Sequence, residues 1–146
     1  MKLLVVVASC ALLLSGCSHD TGDLDAADSP VARYDWDQQS GEEALLEGTL
    51  ALIDGCLYVV SEPEPAEATA RTLAVFPRAL ASWNSETETL TFGGVDYALG
   101  DFVSAGGGWH VPTDDVTIPT ACQTEQSGEV MLVQTRDLQP YVESGD

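Results

Sequence analysis

The sequence predicts an all-β protein. Short apolar segments recur between about residues 45 and 135, and each is bounded by Gly, Pro or Asp. No segment in this range has both the apolar spacing and the length of an ordinary helix. An Asp54-Gly55 pair stands between two apolar runs, and this dipeptide is favoured in tight hairpin turns. We therefore expect roughly six or seven strands in one domain over residues 44–135.

The first hairpin is expected between Gly48 and Val60, after a short helical turn over residues 42–47. With Asp54 and Gly55 as the turn, Leu50 faces Val59 on one side of the sheet. The other side groups Ala51, Ile53, Cys56 and Tyr58. Because both sides are apolar, the hairpin is expected to be covered on both faces, at the centre of a sandwich or wrapped into a barrel.

Further strands follow along the chain. Residues 72–76 are predicted to form a strand that Pro77 ends, and residues 79–83 suit a short strand or a turn. A second hairpin with one wet face turns at Gly93-Gly94. Its alternating apolar residues are Leu90, Phe92, Val95, Tyr97 and Leu99. Residues 129–134 supply the last strand.

The size of the domain favours a small closed or partly open antiparallel β-barrel. About 90 residues suit such a barrel better than a full seven-stranded sandwich. The run Gly100-Asp101-Phe102-Val103 resembles the Gly-Asp-x-Val turn-and-strand found in many small barrels of the OB or SH3-like kind. That resemblance covers under a tenth of the domain, and it implies the same architecture here.

The first residues resemble an export signal. Met1-Lys2 precede an apolar run from Leu3 to Leu14, which at about 12 residues is short of the roughly 20 needed to span a bilayer. The run ends at Leu14-Ser15-Gly16-Cys17 and lacks the usual Ala-x-Ala. This layout resembles the lipobox of bacterial lipoproteins. The resemblance implies removal of residues 1–16, a diacylglycerol on Cys17, and anchoring to the cell membrane on its extracellular or periplasmic side. A plain secreted protein and a stable membrane helix are the alternatives.

Two polar segments are expected to flank the domain. Residues 17–43 are acidic and small, with Gly22 and Pro30 as breakers, and predict a flexible tether. Tyr34 and Trp36 could instead dock onto the domain, and the sequence leaves this open. Residues 136–146 are predicted to form a polar tail.

The charge of the chain excludes one class of partner. Net charge is −19, and after removal of Lys2 only four arginines oppose the 24 carboxylates. Such a surface repels nucleic acid and anionic lipid, because it has too few cations to replace the counterions on phosphates. The expected contacts are the membrane, through the lipid anchor, and an envelope protein or small ligand of unknown identity.

The cysteines predict one disulfide. Cys10 would leave with the signal and Cys17 would carry lipid, so Cys56 and Cys122 remain. Their compartment would allow a disulfide to persist. Two buried free thiols are the alternative. A redox motif and a zinc knuckle both need a much closer spacing.

The candidate functional segment is residues 104–119, SAGGGWHVPTDDVTIP, expected as a long surface loop. Trp109 offers a flat aromatic face, His110 a titratable ring, and Asp114 and Asp115 two carboxylates. Binding residues on β scaffolds are often carried by such loops, so these four form the candidate binding surface. The alternative is that the Trp109 ring is buried in one end of the barrel.

Catalytic and metal-binding motifs are weak or missing. His110 with Asp114 or Asp115 offers at most three metal ligands, at a spacing that no standard site uses. Neither Gly-x-Ser-x-Gly nor a phosphate-binding loop occurs. We therefore predict no catalytic residue, metal or cofactor, and a non-enzymatic module that holds a partner or a small ligand near the membrane. A structural lipoprotein without a ligand is the alternative, followed by a metal-binding protein or enzyme using residues 104–119.

Overall fold

The computed structural model describes residues 29–61, 70–124 and 128–139. These ranges contain ten strands and no helix, which confirms the all-β class. The strands are β1 (Ala32–Tyr34), β2 (Ala44–Ile53), β3 (Cys56–Ser61), β4 (Ala70–Thr72), β5 (Ala74–Pro77), β6 (Ala81–Asn84), β7 (Thr89–Phe92), β8 (Val95–Ala98), β9 (Phe102–His110) and β10 (Val130–Val133). The predicted signal peptide and the lipidation site Cys17 lie outside the described residues. Within those residues, no helix has the length and apolar character needed to cross a membrane.

Both predicted hairpins form. Strands β2 and β3 pair with Leu50 opposite Val59, and Asp54 and Gly55 have the positive φ angles that their turn requires. Strands β7 and β8 pair with Leu90 opposite Tyr97. The expected helical turn over residues 42–47 is wrong, because β2 starts at Ala44 and pairs with β9 from there.

The strands form two sheets. The larger has the order β1-β5-β10-β9-β2-β3-β4, and the smaller has the order β6-β7-β8. The larger sheet is mixed, since β5 pairs in parallel with both β1 and β10. The expected antiparallel pairing is therefore wrong at β5, which runs parallel to both of its neighbours. The larger sheet has β1 and β4 as its two ends, so a closed barrel is not found among the described residues.

One continuous segment, residues 70–77, contributes to distant parts of the larger sheet. Its first half, β4, pairs with β3, and its second half, β5, pairs with β10 and β1. Leu73 lies between the two halves, and its carbonyl accepts a hydrogen bond from the Met131 N–H at 3.1 Å. The sheet is therefore curled by this segment even though its ladder of hydrogen bonds stays open.

Two apolar clusters bury the two faces of the larger sheet. The main cluster joins side chains from both sheets, including an edge-to-face contact of Phe76 with Phe92 at 5.8 Å between ring centroids. The second cluster contains Tyr34, Cys56 and Tyr58. The hairpin β2–β3 contributes to both, as the apolar character of its two faces predicts.

The predicted disulfide joins Cys56 to Cys122, with their Cα atoms 5.0 Å apart. It ties the start of β3 to the segment that follows β9. The Leu57 N–H donates to the Pro30 carbonyl at 2.9 Å, so the chain entering β1 lies beside the same strand.

The domain is longer than predicted at both ends. Ala32 and Tyr34 are buried, which corrects the expected tether boundary at residue 43. The Tyr34 hydroxyl donates to the Val133 carbonyl at 2.7 Å. At the other end Leu138 is buried and the Ser104 N–H donates to the Gln139 carbonyl at 2.9 Å, so the first residues of the predicted tail belong to the domain. Strand β1 has only three residues and acidic neighbours, so it is too short to show the alternation of apolar and polar residues that predicts a strand.

The docked leading segment also changes the chemistry of Tyr34. Burial raises the pKa of its phenol well above the ordinary value, and the nearby carboxylates of Asp37 and Asp115 raise it further. Tyr34 is therefore a neutral hydrogen-bond donor at physiological pH.

Candidate functional site

The segment 104–119 is half strand and half loop. Residues 104–110 belong to β9, which is hydrogen-bonded to β2 on one edge and β10 on the other. Residues 111–119 are irregular. The expectation of a loop over the whole segment is wrong, because three consecutive glycines weaken a strand but do not prevent it when both edges are paired.

The glycines of β9 allow close approach of other groups. A Cβ on Gly107 would overlap the Leu132 carbonyl oxygen and lie 3.0 Å from its carbonyl carbon. A Cβ on Gly108 would overlap the carboxylate of Glu42, lying 2.5 Å from its Cδ. The glycine run therefore serves packing, and not the backbone freedom of a mobile loop.

His110 contacts a carboxylate from the predicted tether, that of Glu42. Its Nε2 is in hydrogen-bond contact with Glu42 Oε2, above Gly108. The Glu42 N–H donates to Gln134 Oε1 at 2.7 Å, which places residue 42 over β9 and toward β10. Glu42 and His110 are 68 residues apart in sequence, and no local pattern indicates that they meet.

The His110–Glu42 pair has the contact expected of a general base and its orienting carboxylate. The side chain of His110 is 42% exposed and that of Glu42 is 54% exposed, so both remain in contact with water. We assign the pair no catalytic role. Its clear effect is structural, because it fastens the crossing between β1 and β2 onto β9.

Trp109 is the exposed aromatic residue of the segment. It lies opposite Met131 in the β9–β10 ladder, yet 47% of its surface is exposed. Val111, just after the strand, is 67% exposed. Because neighbouring residues of a strand point to opposite faces, Trp109 and His110 do not share one face. The alternative, in which the Trp109 ring is fully buried, is therefore wrong.

Asp114 and Asp115 lie in a turn, and both are exposed. The Val116 N–H donates to the Thr113 carbonyl at 3.0 Å, and the Thr113 hydroxyl donates to Asp115 Oδ1. His110 contacts Glu42 and not these two residues. Among the described residues, no group of three or more His, Cys, Asp or Glu side chains is placed to hold a metal ion.

The segment after Trp109 is held at its C-terminal end by contacts of Thr117 and by the disulfide at Cys122. Arg33 and Thr117 exchange two backbone hydrogen bonds of 2.9 and 2.7 Å. Arg78 donates to Asp35 at 3.1 Å and to the Thr117 hydroxyl at 2.9 Å. The disulfide at Cys122 follows. Trp109, Val111, Asp114 and Asp115 are exposed residues along a segment held at both ends, which is called the Trp109–Asp115 surface below. Trp109 lies opposite Met131 of the main cluster and Asp115 lies near Tyr34 of the second, so the structure does not bring these two side chains together.

Comparison with known proteins finds no family model, no curated protein and no solved structure that matches this chain.

Proposed function

We propose that this chain is a lipid-anchored, non-enzymatic module of a bacterial envelope that holds a partner near the membrane through the Trp109–Asp115 surface. The lipobox-like Leu14 to Cys17 supports the anchor. The Cys56–Cys122 disulfide supports a compartment outside the cytoplasm, because disulfides persist in oxidising surroundings.

The observation that carries the binding proposal is the exposure of Trp109 within a strand, at a position paired with Met131 of β10. An aromatic side chain on a rigid strand loses little conformational freedom when it binds, and it can bury about 150 to 250 Å² against a partner. Such residues are frequent among those that dominate binding energy at interfaces.

The test of binding compares two exposed apolar residues. Trp109→Ala removes the proposed anchor, and Val95→Ala removes a side chain that is 52% exposed on β8 in the smaller sheet. Envelope extract is passed over immobilised wild type and both variants, and bound proteins are identified by mass spectrometry. We expect at least one protein to bind wild type and Val95→Ala but not Trp109→Ala.

The thermal stability of the Trp109→Ala variant must be measured together with its binding. Because Trp109 is about half exposed, its replacement by Ala should cost roughly 1–2 kcal/mol, well below the 3–5 kcal/mol typical of a buried Trp. The same proteins bound to all three chains, or none bound to any, would refute a role for Trp109.

The anchor has a separate test. Cells grown with a labelled fatty acid should label the wild type, and Cys17→Ala should abolish the label and release the protein from membranes or block its processing. Equal labelling of both would show that Cys17 is not lipidated, without bearing on the binding surface.

A further inference from the structure

We infer that the edge of β9 at Trp109 and Val111 takes an extended segment of a partner polypeptide as an added strand. This inference rests on the proposed binding function and adds to it the chemical class of the partner. It combines backbone groups that no described strand covers with the exposed side chains beside them. The backbone N–H and C=O groups of Trp109 and Val111 on the side of β9 that faces β2 are called the Trp109 edge below.

The backbone groups of Trp109 point away from β10. Trp109 lies opposite Met131, but the Met131 N–H donates to the Leu73 carbonyl at 3.1 Å, on the far side of β10. In an antiparallel ladder, opposite residues alternate between pairs that exchange hydrogen bonds and pairs that do not. The Gln134 N–H donates to the Gly106 carbonyl at 2.8 Å, which agrees with this alternation. The Trp109 N–H and C=O therefore point to the edge of β9 along which β2 lies.

Strand β2 does not extend as far as Trp109. Its first residue, Ala44, lies opposite Gly107. The chain before Ala44 crosses over β9 and does not follow its edge, since the Glu42 carboxylate lies above Gly108. Among the described residues, no backbone group is hydrogen-bonded to the Trp109 N–H or C=O. The edge of the sheet is therefore open at Trp109.

Val111 extends the same edge. It precedes Pro112, and the residue before a proline favours an extended conformation. Alternate residues of an extended chain present their backbone groups to the same side, so Val111 follows Trp109 on this edge. Within the part of the chain that the structure describes, Val111 has no backbone hydrogen bond.

The chemistry of this edge fits a polypeptide backbone. An open row of N–H and C=O groups at a sheet edge is a template for pairing with another chain. In strand addition the main-chain hydrogen bonds give affinity, and contacts of alternate side chains give specificity. Trp109 and Val111 are 47% and 67% exposed, and as alternate residues they lie on one face, where they can cover side chains of the added strand. A small ligand offers no matching repeat of donors and acceptors.

The open edge is tested first without any partner, by amide hydrogen exchange of the folded protein followed by nuclear magnetic resonance. The Gly108 N–H faces β10, where Gly108 lies opposite Leu132. We expect the Trp109 amide to exchange at least about a hundredfold faster than the Gly108 amide, although both lie within β9. Equal protection of the two amides would show that the edge is already covered, by this chain or by a second copy, and would overturn the inference.

Binding is tested with a library of random eight-residue peptides, selected on the folded wild-type protein. Val111→Pro removes an N–H of the Trp109 edge, and Val111→Ala removes the same side chain but keeps the N–H. We expect the selected peptides to bind Val111→Pro at least about tenfold more weakly than Val111→Ala, and to slow exchange of the Trp109 amide. Melting curves for both variants confirm that the domain stays folded.

The outcomes separate this inference from the function on which it rests. Equal affinity for the two Val111 variants, or no selected peptide at all, overturns strand addition. If an envelope protein then binds Val111→Pro but not Trp109→Ala, the binding function stands with a partner that uses the ring alone. If Trp109→Ala changes the binding of neither peptides nor envelope proteins, the proposed binding function fails as well.

Discussion

Replacing Gly107 by alanine should destabilise the domain strongly. The added Cβ would overlap the Leu132 carbonyl oxygen in the neighbouring strand β10 and lie 3.2 Å from the Met131 Cε. The oxygen belongs to the backbone, so only separation of β9 from β10 relieves the overlap. We expect a loss of about 3 kcal/mol, at the upper end of the range for overpacked cores. For a domain of this size that corresponds to a drop in Tm of roughly 10–20 °C.

The two neighbouring glycines provide matched controls in the same strand. At Gly106 the nearest atom to a Cβ is the Thr135 Cγ2 at 3.2 Å, a side-chain atom that can move. At Gly108 the obstacle is the flexible Glu42 carboxylate. Each replacement should cost less than about 1 kcal/mol, because alanine recovers about 0.5–1 kcal/mol of backbone entropy.

Chemical denaturation measures the three variants. The midpoint for Gly107→Ala should fall well below those of Gly106→Ala and Gly108→Ala, with the slope m unchanged. In a Glu42→Ala background, Gly108→Ala should lose most of its cost, since only the His110 Nε2, at 3.0 Å, then remains close to the added Cβ. Equal midpoints for all three single variants would refute the packing role assigned to Gly107.

Four further predictions test the scaffold. Cys56→Ala and Cys122→Ala should each cost roughly 4 kcal/mol, because the bridge closes 66 residues, and the double variant should be no worse; a melt unchanged by either would contradict this. Tyr34→Phe should cost about 1–2 kcal/mol through its lost hydrogen bond. The pKa of Tyr34 is raised in the folded state, so above about pH 10 the unfolded chain loses this proton more readily than the folded one. The free energy of unfolding should therefore fall as pH rises from about 10. Ultraviolet titration should accordingly show Tyr34 ionising only on alkaline unfolding, as the part of the signal that Tyr34→Phe removes, and its gradual ionisation in the folded domain would refute this. A chain that begins at residue 44 should not fold cooperatively, because it lacks β1, whereas one that begins at residue 29 should; circular dichroism melts decide.

The parts of the fold that depend on local patterns could be predicted. The register of β2 with β3 follows from a turn dipeptide and an alternation that are both visible in the sequence. The disulfide follows from counting cysteines. Parallel pairing of β5 with β1 could not be predicted, because it depends on a three-residue strand 43 residues away that has no pattern of its own.

For the candidate site, an exposed Trp109 was one of two alternatives that the sequence left open, and the arrangement around His110 could not be predicted. Exposure of Trp109 agrees with its proposed role. The contact of His110 with Glu42 depends on a crossing segment that lies over Gly108, and the glycine run was interpreted as a loop because glycine indicates flexibility more often than close approach. The residues that show close approach, Leu132 at Gly107 and Glu42 at Gly108, are far from the glycines in sequence.

The position of β1 has a mechanical consequence. If the chain is held at Cys17, force on the domain enters through β1, which is hydrogen-bonded to β5 on one edge and to Thr117 on the other. Should β1 give way, the 15 residues from 29 to 43 can be drawn out, about 50 Å of extended chain, before β2, paired with β3 and β9, resists. Beyond that point the covalent path to the Trp109–Asp115 surface runs through the disulfide and back only seven residues, from Cys122 to Asp115. Residues 57–108 lie outside that path, so the load from a bound partner would bypass most of the two sheets.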